Sequence, residues 1–250
     1  MRDELIPHNY HTPTATCHSI DPSSSPSLIA LVAMSSARSD GPELVVYDLD
    51  GVITRKDTFT ALVAYRLFRS PLCLVRSVWT ALTMPGESKA SLSRRIAETA
   101  LDGITDGEYT ALAEQLGQKF ASDPKWIRAE AVHRIRRQHA QGARIVIATA
   151  SERRLAEALL EGARVPYDLL SASLLSSRAN GLTVRDHRVG ERKLAALLEL
   201  GVSIEKAQFI TDSLTDFPTA EASSSVVLIG ASARTRERYR EMGISITEES

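Results

Sequence analysis

Leu44-Val45-Val46-Tyr47-Asp48-Leu49-Asp50-Gly51 is the stretch that decides the reading of this chain. Its first four residues are apolar, and three are β-branched or aromatic, which favours a strand. None of the four is a polar position suited to face water. A short continuous run of this kind fits a strand covered on both faces, as in a parallel sheet flanked by helices. The strand runs straight into two acids one residue apart and then a glycine, which suits a tight turn. The first strand therefore delivers carboxylates to its carboxyl end.

Three further runs repeat the pattern. Arg144-Ile145-Val146-Ile147-Ala148 ends in Thr149-Ala150-Ser151. Gln208-Phe209-Ile210 ends in Thr211-Asp212-Ser213, and Val226-Val227-Leu228-Ile229 ends at Gly230. Helical patterns follow from Arg153 to Glu161 and from Glu191 to Leu200, the second with Gly201 as its C-terminal stop. Strands alternating with helices predict an open α/β sheet with a Rossmann-like parallel core. Ser171 to Arg188 reads as a loop or short hairpin turning at Asn180-Gly181.

Between the first two strands the chain carries only helical signals. Thr58 to Gln141 spans more than eighty residues, whereas a crossover needs about a dozen. The excess predicts an inserted helical subdomain. Ser70-Pro71 and Asp123-Pro124 each read as an N-cap followed by a first-turn proline. Thr105-Asp106 reads as a third cap. The expected division is an extension over 1–41, an α/β core over 42–57 and 140–250, and a helical cap over 58–139.

Residues 1–41 carry Pro7, Pro13, Pro22 and Pro26 among many Ser and Thr, a composition with little apolar surface to offset ordering entropy. The run Leu28–Ala33 lies late for a signal peptide, and Asp3 and Glu4 replace the basic leader such a peptide needs. A cytoplasmic protein is the expectation. Met34 is an alternative start that would remove the preceding residues.

Thirty basic against thirty-one acidic side chains give a net charge of −1. No global field then draws the chain to nucleic acid. Cys17 and Cys73 match no metal or redox spacing. No apolar run is long enough to span a membrane. The nearest, Ala61–Met84, is interrupted by Arg66, Arg69 and Arg76. A buried helical pair is favoured there over a helix lying on a membrane surface. His133 and His139 lie among arginines on what reads as a solvated face. Nothing in the sequence indicates an oligomeric state.

Open α/β sheets bind ligands outside the carboxyl ends of their strands. Folding would gather there Asp48 and Asp50, Thr149 and Ser151, and Asp212 and Asp216. Carboxylates crowded at one rim repel unless a cation lies among them, and an all-oxygen donor set suits Mg²⁺. Lys193, near the start of its helix, adds a positive charge. A cation, an ammonium and a hydroxyl around a carboxylate form a cradle for phosphate.

These residues also resemble an established family. Asp48-Leu49-Asp50-Gly51-Val52 is similar to the first motif of the haloacid dehalogenase superfamily, and Ile145–Ser151 resembles the second. Lys193 matches the third, and Asp212-Ser213-Leu214-Thr215-Asp216 the fourth. The insert falls where that superfamily carries its first type of cap, and a helical cap there resembles the phosphoserine-phosphatase-like branch. The wording of the second and fourth motifs also resembles a phosphatidylglycerophosphatase-like group. Two departures stand out: Thr211 replaces a common glycine, and Val52 a common threonine.

The resemblance implies a Mg²⁺-dependent hydrolase acting on a small phosphorylated metabolite. Asp48 would be the nucleophile and Asp50 the general acid and base. Thr149, Ala150 and Lys193 would hold the phosphoryl group. Asp48, Asp50 and Asp212 would hold the metal, with Asp216 in support. Asp57, nine residues after Asp48, falls where the branch carries an acid; helix capping and substrate contact are equally open to it. Asp50 favours phosphoryl transfer over dehalogenation, because a halide leaves without a proton. The alternatives are a phosphotransferase using the same intermediate and a membrane-surface lipid phosphatase.

Overall fold

The computed structural model describes residues 42–70, 75 and 89–249. The 1–41 extension, both cysteines, Pro71 and all of 71–84 but Val75 lie outside the described residues. Seven strands form one sheet: β1 (Leu44–Tyr47), β2 (Arg144–Glu152), β3 (Leu169–Arg178), β4 (Gly181–Asp186), β5 (Gln208–Thr211), β6 (Ser225–Ile229) and β7 (Ile246–Glu249). Their order is β4-β3-β2-β1-β5-β6-β7. Every neighbouring pair is parallel except β3 with β4. The fold is thus the expected Rossmann-like α/β core.

Each run read as a strand is one. The continuous apolar pattern has a direct cause, since successive side chains enter two different cores. Val45, Tyr47, Ile145, Ile147, Ile210 and Val227 belong to one apolar cluster. Val46, Val146, Ala148, Phe209, Val226 and Leu228 belong to the other. At about 1.5–3 kcal/mol for each fully buried aliphatic side chain, both faces contribute heavily to stability.

Eight helices are described: α1 (Thr58–Arg69), α2 (Lys89–Ala100), α3 (Asp106–Ser122), α4 (Ala129–Ala140), α5 (Arg153–Gly162), α6 (Glu191–Glu199), α7 (Phe217–Ala222) and α8 (Ala233–Glu241). Tyr109, Ala113, Leu116 and Phe120 of α3 share the first cluster with Leu155 and Leu159 of α5 and with Ile135 of α4. Leu197, Ala220 and Tyr239, from α6, α7 and α8, cover the opposite face. Val63 of α1 with Ala97 and Ala100 of α2 forms a separate small cluster, joined by Phe59, Leu67 and Ile96. His133 and His139 are exposed on α4.

The capping signals divide. Thr105 caps α3 in a reciprocal box with Glu108. Asp123-Pro124 starts no helix. Asp123 is instead the C-cap of α3, and its carboxylate accepts from Lys125 N in a turn. The α4 helix opens later, behind Arg128, with no side-chain cap. Ser70 is the C-cap of α1, and the helix expected to start at Ser70-Pro71 lies outside the described residues. An Asp-Pro pair terminates a helix as readily as it begins one, because proline disfavours the α conformation before it.

The 171–188 segment is a hairpin, but a longer one than its sequence indicates. Arg178 pairs with Gly181, so Ala179-Asn180 form the loop. The first arm starts at Leu169, where it pairs in parallel with β2.

Candidate active site

The adjacent strands β2, β1 and β5 end side by side, and each hands its polar residues to the same rim. Asp48 leaves β1 with its backbone N–H still bonded to Ile210 of β5. Its carboxylate accepts from Leu49 N at 2.8 Å. A tight turn over Leu49–Ile53 follows, with Gly51 at φ +82°. That glycine is required twice: its backbone is left-handed, and a Cβ there would lie 2.0 Å from Asp212 Oδ2. Asp212, from the end of β5, is therefore packed against the loop that carries Asp48 and Asp50. Arg128 steadies the loop from outside by donating Nε–H to the Gly51 carbonyl at 3.1 Å.

Lys193 is buried in the first turn of α6. Its ammonium lies 3.2 Å from Asp48 and 2.6 Å from Asp216. Burial alone would lower its pKa, but Asp48 and Asp216 outweigh this and hold it above the ordinary value. Asp216 is itself fixed by Thr211, which donates to it at 2.8 Å and accepts from Ser213 N. The threonine that stood out in the fourth motif thus replaces backbone freedom with a hydroxyl tie. Tyr239 of α8 donates to the Ser213 carbonyl at 2.9 Å and holds the same loop.

Asp50 is held differently. Its Oδ1 accepts from Thr58 N at 2.8 Å and from Thr58 Oγ1 at 2.9 Å. Its Oδ2 accepts from Ser151 Oγ at 2.7 Å and Thr149 Oγ1 at 3.3 Å. The Thr149 hydroxyl also accepts from Ser151 N at 3.0 Å, so it serves the acid as well as the strand end. Burial and the neighbouring Asp57 push the Asp50 carboxyl above its usual value, against the pull of Ser151 and Thr58. Sequence reasoning misses Thr58; its only signal is its place after Asp57, at the start of a helix. Asp57 caps α1, accepting from Thr60 N at 2.6 Å, and also lines the cavity beside Asp50. Ala150 lines the same cavity.

The charge balance at this rim is uneven, with four carboxylates around one ammonium. Burial pushes Asp48 well above the usual carboxylate range; Lys193 pulls it down while Asp216, Asp50 and Asp212 push it up. Burial and Asp216 push Asp212 up to about 6. Among the described residues no three acidic, His or Cys side chains close into a ready-made metal cluster. Mg²⁺ does not need one, because it takes one or two carboxylates and keeps several waters. Asp48 and Asp212 supply two, and their unbalanced charge fits such a cation.

The family model for haloacid dehalogenase-like hydrolases matches residues 45–221. The chain belongs to that family. No curated protein matches it. Among solved structures it is similar to a Bordetella pertussis Tohama I protein of unknown function, at 17% identity and TM-score 0.64, covering 82% of this chain and 98% of that one. It is also similar to a phosphoserine phosphohydrolase-like protein from Francisella tularensis, at 16% identity and TM-score 0.55, covering 82% and 94%. A family hydrolase from Salmonella enterica serovar Typhi matches at 14% identity and TM-score 0.55, covering 84% and 72%. This haloacid dehalogenase-like hydrolase thus shares its fold with the phosphoserine-phosphatase-like branch. Among its described residues no helix is long and apolar enough to cross a membrane.

Proposed function

We propose that the protein is a Mg²⁺-dependent phosphomonoesterase working through an aspartyl-phosphate on Asp48. The observation that carries this reading is the pairing of two unlike acids on one loop. Asp48 faces the Lys193 ammonium at 3.2 Å, while both carboxylate oxygens of Asp50 are engaged by the Thr58, Ser151 and Thr149 hydroxyls. A carboxylate beside an ammonium suits a nucleophile whose charge must be offset, and one held by hydroxyls on a neighbouring turn suits proton transfer.

The Asp48 carboxylate attacks phosphorus, and the bond from phosphorus to the ester oxygen breaks. Asp50 gives its proton to the departing alkoxide. It then takes a proton from water, which attacks the aspartyl-phosphate and returns Asp48 and inorganic phosphate. Lys193 offsets negative charge on Asp48 and on the transferring group, where positioning and electrostatics supply most of the catalysis. Ala150 and Thr149 border the phosphoryl group from the end of β2. Asp48 and Asp212 would hold the cation, while the Asp50 carboxylate oxygens are engaged by Thr58, Ser151 and Thr149. When bound, Mg²⁺ would offset the charge of a phosphate oxygen approaching Asp48. Asp216 holds Lys193. We assign the cap role to α1 and α2, whose Val63, Ala97 and Ala100 form a small cluster of their own although Leu62 of α1 joins the core. This is narrower than the expected 58–139, because α3 and α4 pack into the core.

The test is phosphate release from small phosphate esters with and without Mg²⁺, for the native protein and Asp48→Asn. Metal-dependent release that disappears in the variant is the expected result. Release unaffected by the substitution would overturn the reading.

A further inference from the structure

Beside Asp50 lies a cavity of about 440 Å³, within the roughly 300–1,000 Å³ typical of ligand sites. Asp50, Ala150 and Ser151 form its floor. From there it rises between α1, α2 and the β3–β4 hairpin. Its walls are mainly apolar: Phe59 and Val63 of α1, Ile96 and Ala97 of α2, Leu175 of β3 and Val184 of β4. The charged side chains on it are acids, Asp57 and Glu152 beside Asp50, and His187 is the one titratable base among its described lining residues. No lysine or arginine appears among them. Arg188, nearby in sequence, is buried and committed to Ser171 and Asp186. Arg154 is tied to Glu152 and Asp106.

These walls determine what the alcohol half of a substrate can be. The leaving oxygen must stand at Asp50, so the group attached to it occupies this cavity. A carboxylate placed there would lose water and meet Asp50, Asp57 and Glu152, which is costly for a buried charge. A hydrocarbon group would gain contact with six apolar side chains. We infer that the substrate is a phosphate monoester of a predominantly hydrocarbon alcohol without an acidic group, and that amino-acid phosphates such as phosphoserine are poor substrates. This rests on the proposed phosphatase reading for the position of the phosphoryl group, but its test does not require turnover.

The probes are n-alkylphosphonates from methyl to pentyl and the phosphonate analogue of phosphoserine. Their binding to the native protein is measured by calorimetry in Mg²⁺. Affinity is expected to rise about fourfold for each added methylene until the cavity fills, as for burial of CH₂ groups. The phosphoserine analogue should bind more weakly than propylphosphonate. Val184→Lys, on the edge strand, should narrow that gap, with a thermal melt to check folding. A flat series, an analogue that outbinds propylphosphonate, or no binding by any probe would overturn the inference. A rising series without hydrolysis of the matching alkyl phosphates would instead sink the phosphatase reading and leave the pocket assignment standing. Turnover of alkyl phosphates with a flat series would do the reverse.

Discussion

Lys193 stands closer to Asp216, at 2.6 Å, than to Asp48, at 3.2 Å. Asp216 therefore anchors the ammonium, and Asp48 keeps a looser hold, which suits its proposed role as nucleophile. Asp216→Asn removes the anchor while preserving shape. Removing one partner of a buried ion pair typically costs about 3–5 kcal/mol. Thermal unfolding should show a drop of several degrees. Turnover should fall at least tenfold, because Lys193 is no longer held at a fixed position. An unchanged melting temperature would mean that Thr211 and Lys193 do not depend on this carboxylate.

The two acids on the first loop should fail in different ways. Asp48→Asn removes the proposed nucleophile and should reduce turnover by about 10³-fold or more for every ester. Asp50→Asn removes the proposed proton donor and should cost about 10²–10⁴-fold with alkyl phosphates. With an aryl phosphate whose leaving group needs little protonation, the Asp50→Asn loss should shrink markedly. Comparing both esters in both variants separates the roles. Equal losses for Asp50→Asn would remove the general-acid assignment.

Gly51→Ala should be disproportionately harmful. The position has φ +82°, which costs a side chain about 1 kcal/mol or more. The added Cβ would also run into the Asp212 carboxylate. Asp212 must then shift from the loop bearing Asp48. The expected outcome is a lower melting temperature and a weaker rise of that temperature on adding Mg²⁺. A variant that gains as much from Mg²⁺ as the native protein would show that Asp212 need not hold its place.

The legibility of the chain followed burial. The strands around Val46, Ile147, Phe209 and Val227 were readable because both faces of each are covered, leaving an unbroken apolar run. The strand Leu169–Arg178 was readable only as one arm of a loop or short hairpin from Ser171. Ser171 and Ser173 interrupt it, and their hydroxyls are satisfied by Arg188, from beyond the hairpin. The last strand, Ile246–Glu249, lies at the sheet edge and is half acidic. At the site, Asp48, Asp50, Lys193, Asp212 and Asp216 stood out through their order along the chain. Thr58 and Glu152 did not, because what they do depends on distant partners. Thr58 bridges Asp50 to Ser151. Glu152 caps α5 and accepts from Tyr109, forty-three residues away. Asp123-Pro124 misled because a local signal cannot tell the start of α4 from the end of α3.

Asp212 sets a pH dependence in the metal-free protein. Its carboxyl is raised from 3.8 to about 6 by burial and by Asp216. The native state thus binds this proton more tightly than the unfolded chain does. Stability from this group is fully present below its ordinary value and is lost as pH rises from there through about 6. The loss is at most about 3 kcal/mol, since each tenfold gain in proton affinity on folding is worth about 1.4 kcal/mol. In chelator-treated protein the melting temperature should fall across that window. Asp212→Asn should flatten the fall, and Mg²⁺ should reverse it in the native protein alone, because a bound cation favours the ionised carboxylate. Unfolding followed at several pH values, for both proteins with and without Mg²⁺, checks all three. Equal slopes in the native protein and the variant would assign the titration to a group other than Asp212.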